Sequence, residues 1–144
     1  MKLHPDYPVV DGTYQMTMNW SVDLPSQFNR RTEDGSLVIW RPGFTIWVES
    51  YANDNGRPSD ARLEELRADS SPERYDEMTE TDDDILRYSY RLREKDDDNR
   101  DAAFYCFALS EAGHIMMAIY FDDTDDITDA MKIWRSITSA GHAG

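Results

Sequence analysis

The chain has 144 residues, a length that fits one domain and can bury roughly two-thirds of the surface of its unfolded form. Its 29 acidic residues outnumber 15 Lys and Arg, and the formal net charge of −14 disfavours nucleic acids and anionic membranes as partners. Hydrophobic residues make up 40% of the chain and aromatic residues 12%, which indicates a packed core. With no secretory signal, no apolar run near the ~20 residues of a membrane span, and a single cysteine, we expect a cytoplasmic protein without disulfides.

The first third of the sequence predicts a β-meander. Residues 14–22 alternate between apolar and polar side chains, as a half-buried strand does, and Pro25 is expected to end that strand. Asp34-Gly35 predicts a two-residue hairpin turn, and Pro42-Gly43 predicts the next turn. Residues 44–51 are the third meander strand, with Trp47 and Tyr51 opposite the apolar side chains of its other face.

The middle of the sequence predicts one or two short helices. Ser59 is a candidate N-cap for a helix over residues 60–69, whose apolar stripe holds Leu63 and Leu66. The segment after Pro72 predicts a further helical turn that buries Tyr75 and Met78.

Three more strands and a helix complete the predicted fold. Residues 86–92 alternate, with a basic outer face, whereas residues 102–109 and 114–121 are apolar on both faces and predict central strands. Apolar residues recur at helical spacing over residues 127–139, where Trp134 is expected to anchor the helix on the sheet. We therefore expect a single α+β domain over 1–144, with an antiparallel sheet of about six strands (β-β-β, helix, β-β-β, helix) and irregular segments at 1–12 and 140–144.

No pattern in the sequence predicts catalysis. The chain has no nucleophile-elbow, phosphate-loop, dinucleotide-binding or zinc-protease motif, so we expect no enzymatic activity, no catalytic residues and no cofactor. Cys106 and His114 could form a nucleophilic pair, but the apolar residues around Cys106 favour a buried, inert thiol.

Three aspartate runs could bind a divalent cation, but their positions favour solvated turns and helix caps. The runs cover residues 82–84, 96–98 and 122–126. An EF-hand loop starting at Asp122 would need Gly at its sixth position and Glu at its twelfth, where the chain has Ile127 and Ile133. No metal site is therefore predicted, although a metal-binding role stays open.

Aromatic and acidic side chains are the candidates for contact with another protein. Large aromatic side chains at a surface anchor interfaces, and clustered acids attract basic partners. The candidate contact residues are Trp47, Tyr51, Asp82, Asp83, Asp84, Asp122, Asp123, Asp125 and Asp126. Arg87, Arg91 and Arg93 form a basic ladder that could hold an anionic ligand, but we expect it to pair with acids of the chain itself.

The order of predicted elements resembles that of the PsbP-like α/β sandwich, which implies a binding or accessory role without catalysis. Small size, low pI and α+β content are also similar to the acidic type III secretion chaperones, which implies a protein partner and a dimer. The chain lacks the N-terminal helix of those chaperones. The segment Leu37–Gly43 looks like part of a bacterial protein family to which no activity is attached.

These observations predict a non-enzymatic bacterial accessory or protein-binding module with an acidic surface, immunity-like or chaperone-like, that binds a protein with a basic surface. A homodimer is an open alternative. So are a small-molecule or metal-binding domain with a pocket between the sheet and residues 59–80, and an enzyme of unknown class.

Overall fold

The computed structural model describes residues 3–82, 84–93 and 101–139. The described residues form nine strands and two α-helices, and a single 3-10 turn over Thr124–Asp126 leads into the second helix. The strands are β1 Val9–Gln15, β2 Trp20–Glu33, β3 Ser36–Arg41, β4 Phe44–Ala52, β5 Tyr75–Asp82, β6 Ile85–Leu92, β7 Ala103–Ser110, β8 Gly113–Phe121 and β9 Thr138–Ser139. The helices are α1 Ser59–Asp69 and α2 Ile127–Ser136.

Two four-stranded meanders make up one antiparallel sheet. Its strand order is β1-β2-β3-β4-β8-β7-β6-β5, so β4 and β8 join the two meanders, and β9 adds a short pair to the start of β2. The Asp34-Gly35 turn is confirmed, since both residues have positive φ (51° and 86°), as the two-residue turn that matches strand twist requires. The turn at Pro42-Gly43 is confirmed as well.

The chain is α+β with an antiparallel sheet, but the expected sheet of about six strands is wrong. Four strands precede α1 and four more precede α2. Part of the error lies in residues 14–22, which were expected to form one strand. The Met16 amide donates a hydrogen bond to the Trp20 carbonyl (2.9 Å), and the turn it closes separates β1 from β2. Side-chain alternation carries on across this turn, so periodicity does not reveal it.

Pro25 does not end β2, contrary to expectation. The β1–β2 register shifts between Val10 and Gly12, and Pro25 lies within the part of β2 opposite that bulge. A bulge leaves residues without ladder hydrogen bonds, so a proline is tolerated there.

The helical turn expected after Pro72 is also wrong, because residues 75–82 form the edge strand β5. Among the described strands it pairs with β6 alone, and most of its side chains are exposed, including Tyr75 at 41%. Asp76 has a φ of 52° at a register shift between Tyr75 and Met78. An edge strand with one neighbour can carry many charges, and such a sequence does not show the apolar pattern of an interior strand.

The two faces of the sheet are covered differently. On the face we call the α2 face, α2 packs against β2 and β7 over the main apolar core, in which Cys106 and Trp134 are both 0% exposed. On the opposite α1 face, α1 packs against β6 and β7, where Leu63 meets a smaller cluster that includes Tyr88 and Phe107. The expected burial of Trp134 and Cys106 is confirmed.

Arg41 fastens the start of α2 to the sheet. Its guanidinium donates to Asp129 (2.8 Å), Asp126 (3.3 Å) and Ser26 (2.7 Å), and it lies against the rings of Phe28 and Phe44. The two carboxylates belong to the first turns of the helical segment, where negative charge also favours the helix dipole. In the described part of the chain, neither helix has the length and apolar character needed to cross a bilayer.

Candidate binding surface

A group of large side chains lies on the α1 face beside the area that α1 covers. Trp47 of β4 lies opposite Val38 of β3 and Ala118 of β8, and the alternation of each strand places further aromatic side chains on the same face. We call this group the aromatic surface: Trp40, Trp47, Met116 and Tyr120, which are half-buried, and Tyr51, which is 47% exposed. The two faces of β4 are buried unequally, since Phe44, Ile46 and Val48 of its other face are at most 2% exposed.

Tyr51 is held in place at the end of this surface. Its hydroxyl donates to Glu49 (2.6 Å), and its ring stacks on His114 with the centroids 4.8 Å apart. Gly113 lets β8 begin directly against the Tyr51 carbonyl, where a Cβ atom would clash. The hydrogen bond to Glu49, together with burial, raises the pKa of Tyr51, so its hydroxyl stays a donor at neutral pH.

His114 is neutral at physiological pH. Burial is the main reason that its pKa falls to about 4, and the nearby Arg62 guanidinium lowers it further. Arg62 lies on the buried side of α1 and donates to the Ser110 carbonyl (2.7 Å). Because His114 is uncharged, Glu49 supplies a net negative charge beside Tyr51.

The two described aspartate runs lie at opposite ends of the sheet. Asp82 and the exposed Asp84 belong to the β5–β6 turn, whereas Asp83 is outside the described residues. Asp122 follows β8 at the end of the sheet where Phe121 pairs with Phe44. The eight residues of β6 span roughly 25 Å, so the two runs cannot form one compact contact site. The third run, residues 96–98, lies outside the described residues.

Four connections carry acids at the end of the sheet near Tyr51. The strand register places four connections at this end of the sheet: the β2–β3 turn, the loop after β4, the β5–β6 turn and the β7–β8 turn. Each connection contributes an exposed acid, and we call this group the acidic end: Asp34, Asp54, Asp82 and Glu111. Asp82 also reaches the buried Arg87 (3.5 Å).

The run at residues 122–126 helps to begin α2. Asp123 accepts a hydrogen bond from the Asp125 amide (2.9 Å), and Asp126 pairs with Arg41. Burial raises the pKa of Asp126 and Arg41 opposes that rise. The interpretation of this run as a turn and cap is confirmed for Asp123, while Asp122 and Asp125 are simply exposed.

The structure separates Cys106 from His114. Cys106 lies in the main core on the α2 face, opposite Met117, and burial raises its thiol pKa. His114 stacks on Tyr51 of the aromatic surface, and the ladder pairs it with Leu109. Over residues 3–82, 84–93 and 101–139, no three His, Cys, Asp or Glu side chains are grouped so that they could hold a metal ion.

The arginine ladder pairs internally, as expected. Arg87 contacts Asp82, and Asp101 contacts both Arg91 (3.2 Å) and Arg93 (4.0 Å). The expected basic outer face is wrong, however, because Arg87 is 3% exposed and donates to the Ile137 carbonyl (2.6 Å) beneath the end of α2. Sequence periodicity identified the alternation and the buried apolar side of β6, but the side it assigned to solvent is largely buried as well.

Two comparisons with known proteins found no match for this chain. No protein-family model matches it, and no curated protein matches it. The resemblances to PsbP-like sandwiches and to type III secretion chaperones therefore stay predictions, and functional inference depends on the geometry of the surface.

Proposed function

We propose that the protein is a non-enzymatic, cytoplasmic protein-binding module, immunity-like or chaperone-like in role, that holds a basic segment of a partner protein on its aromatic surface. The observation that carries the proposal is the placement of half-buried Trp40, Trp47 and Tyr120 with exposed Tyr51 on one sheet face. Aromatic side chains of this kind supply much of the binding energy of protein interfaces.

The charges around the aromatic surface favour a basic partner. Glu49 lies beside Tyr51, and the acidic end adjoins the same end of β4. Arg31 of β2, a cation on this face, pairs with Glu33 (3.4 Å) and lies over the Trp40 ring, so its charge is compensated. A net negative rim attracts a cationic segment and accelerates its association.

Capture experiments with matched variants test the contact surface. Immobilised protein is incubated with a lysate of the source cells, and bound proteins are identified by mass spectrometry. We expect a basic protein that wild type captures, that Trp47→Ala and Tyr51→Ala lose, and that Tyr75→Ala retains, because Tyr75 is exposed on the remote strand β5. Circular dichroism confirms that each variant is folded. Equal capture by all four proteins would refute the aromatic surface as the contact.

Kinetics with the purified partner test the electrostatic part. Asp34→Asn with Glu111→Gln should lower the association rate more than it raises the dissociation rate, and added salt should mimic the effect. Asp122→Asn with Asp125→Asn is the matched control at the other end of the sheet, where both acids are exposed. If both pairs slow association equally, the steering comes from total charge and not from the acidic end.

Self-association is a competing outcome. Analytical ultracentrifugation of wild type and Trp47→Ala measures it directly. A stable wild-type dimer that the substitution dissociates would assign the aromatic surface to a second copy of the chain and refute the proposed heterologous partner.

A further inference from the structure

A groove opens on the α2 face near the end of β4, and its lining also includes Glu49 and Tyr51, which belong to the α1 face of that strand. It has a volume of about 490 Å³, and its walls come from the β1–β2 turn and from β2, β3 and β4. The apolar lining includes Met16, Leu37 and Val48, and the polar lining includes Arg30, Thr32 and Ser50. This volume falls within the range typical of small-molecule sites.

Arg30 is a cation without a partner in this groove. In the part of the chain that the structure describes, no ion pair and no side-chain hydrogen bond involves Arg30, and its Nε atom is buried without an acceptor. Neighbouring Arg31, by contrast, pairs with Glu33 on the other face. Arg62, Arg74, Arg87 and Arg91 also have a buried guanidinium nitrogen without an acceptor, but each of them donates a hydrogen bond from another nitrogen. Arg30 differs because no such bond compensates its charge within the described residues, and an uncompensated charge at a partly buried site is costly.

We infer that the groove binds a small organic monocarboxylate with an aliphatic tail. The carboxylate accepts hydrogen bonds from the Arg30 guanidinium, with the hydroxyls of Thr32 and Ser50 beside it, and the tail packs on Met16 and Leu37. Arg30 reaches the groove because β2 alternates, which places it over the same face as Ile39 and Leu37.

The charge of the site selects a monoanion over a polyanion. One guanidinium can compensate one negative charge, and Glu49 also lines the groove. Inorganic phosphate near pH 7 carries between one and two negative charges, and it would be repelled by Glu49 and by the field of a protein with a net charge of −14. The lining is mostly polar, and its apolar part, mainly Met16 and Leu37, leaves room for a short hydrocarbon tail.

Titration with defined probes tests this site. Hexanoate is added to ¹⁵N-labelled protein, and amide shifts in two-dimensional NMR spectra report where it binds. We expect saturable shifts at Thr32, Leu37 and Ser50, with a dissociation constant around 1 mM or tighter. Hexanamide and inorganic phosphate, the neutral and inorganic controls, should bind at least about tenfold more weakly.

Two arginine variants provide the matched comparison. Arg30→Gln should weaken hexanoate binding by about tenfold or more, whereas Arg31→Gln, one residue along the same strand but on the other face, should change it by less than about twofold. Arg30→Lys keeps the charge and should retain part of the affinity. If Arg30→Gln does not fold, the comparison of hexanoate with hexanamide on wild type decides. The inference is refuted by an absence of saturable shifts, by shifts confined to other surfaces, or by equal binding of hexanoate, hexanamide and phosphate.

Discussion

Replacement of Trp134 by alanine should remove a main support of α2. The indole is 0% exposed, meets the Phe104 ring at a centroid distance of 5.8 Å and donates from Nε1 to the Phe107 carbonyl (3.1 Å). A buried tryptophan truncated to alanine costs about 3–5 kcal/mol, and the lost hydrogen bond adds about 1 kcal/mol. We therefore expect the free energy of unfolding to fall by about 4–6 kcal/mol.

Urea unfolding followed by far-UV circular dichroism measures this change without relying on tryptophan fluorescence. Trp134→Phe keeps most of the apolar volume and should lose about 1–3 kcal/mol, which protects the test if the alanine variant does not fold. Lys132→Ala, exposed on the same helix, is the control and should change the free energy by less than about 0.5 kcal/mol. A loss below about 1 kcal/mol for Trp134→Ala would show that α2 contributes little to the stability of the sheet.

Three further predictions concern buried polar and ionisable groups. The pKa of His114 is about 4 in the folded chain, below its ordinary value of 6.5, so the unfolded chain binds more protons and stability should fall as the pH drops from about 6.5 to 4. Urea midpoints measured against pH should show this fall for wild type and a smaller fall for His114→Gln. Parallel profiles for the two proteins would contradict the prediction. A double-mutant cycle on Arg41→Gln and Asp129→Asn, measured by urea unfolding, should give a coupling of about 1–3 kcal/mol, whereas additive effects would show that this pair does not fasten α2. Cys106 should react with a thiol reagent slowly in the native protein and quickly in urea, and fast native labelling would show that the core opens readily.

Local pattern was sufficient where one segment contains its own signal. Asp34-Gly35 determines its hairpin because few residues tolerate its dihedral angles, and the stripe that includes Trp134 determines which side of α2 is buried. The continuous apolar segments of β7 and β8 predict central strands because both of their faces are covered.

Local pattern failed where the outcome depends on neighbours far along the chain. β5 is a strand because β6 lies beside it, and its charged residues are acceptable only because it is the edge of the sheet. The turn between β1 and β2 interrupts a segment whose alternation is unbroken, so periodicity alone merges these two strands into one.

The inward arginines could not be predicted for the same reason. A charged residue on a strand is normally assigned to the solvent side, but Arg41 finds its carboxylate 88 residues further along the chain, in α2. Arg87 likewise finds the Ile137 carbonyl 50 residues away. Arg30 follows the same inward direction from β2 without acquiring such a partner, which no local feature of residues 28–33 reveals.

These internal pairings also shape the outer surface. Arg41 and Arg91 form ion pairs with acids that are at least partly buried, so they do little to neutralise exposed acids elsewhere. The acids of the acidic end therefore dominate the electrostatic potential near Tyr51. Salt weakens their attraction for a basic partner at this distance but does not abolish it. Changes at Arg41 should therefore alter stability with little effect on the attraction of a basic partner, while changes at Asp34 or Glu111 should do the reverse. The two effects separate because of where the charges lie. A charged group that is paired inside the fold contributes to stability, whereas an exposed charged group contributes to the electrostatic field around the protein.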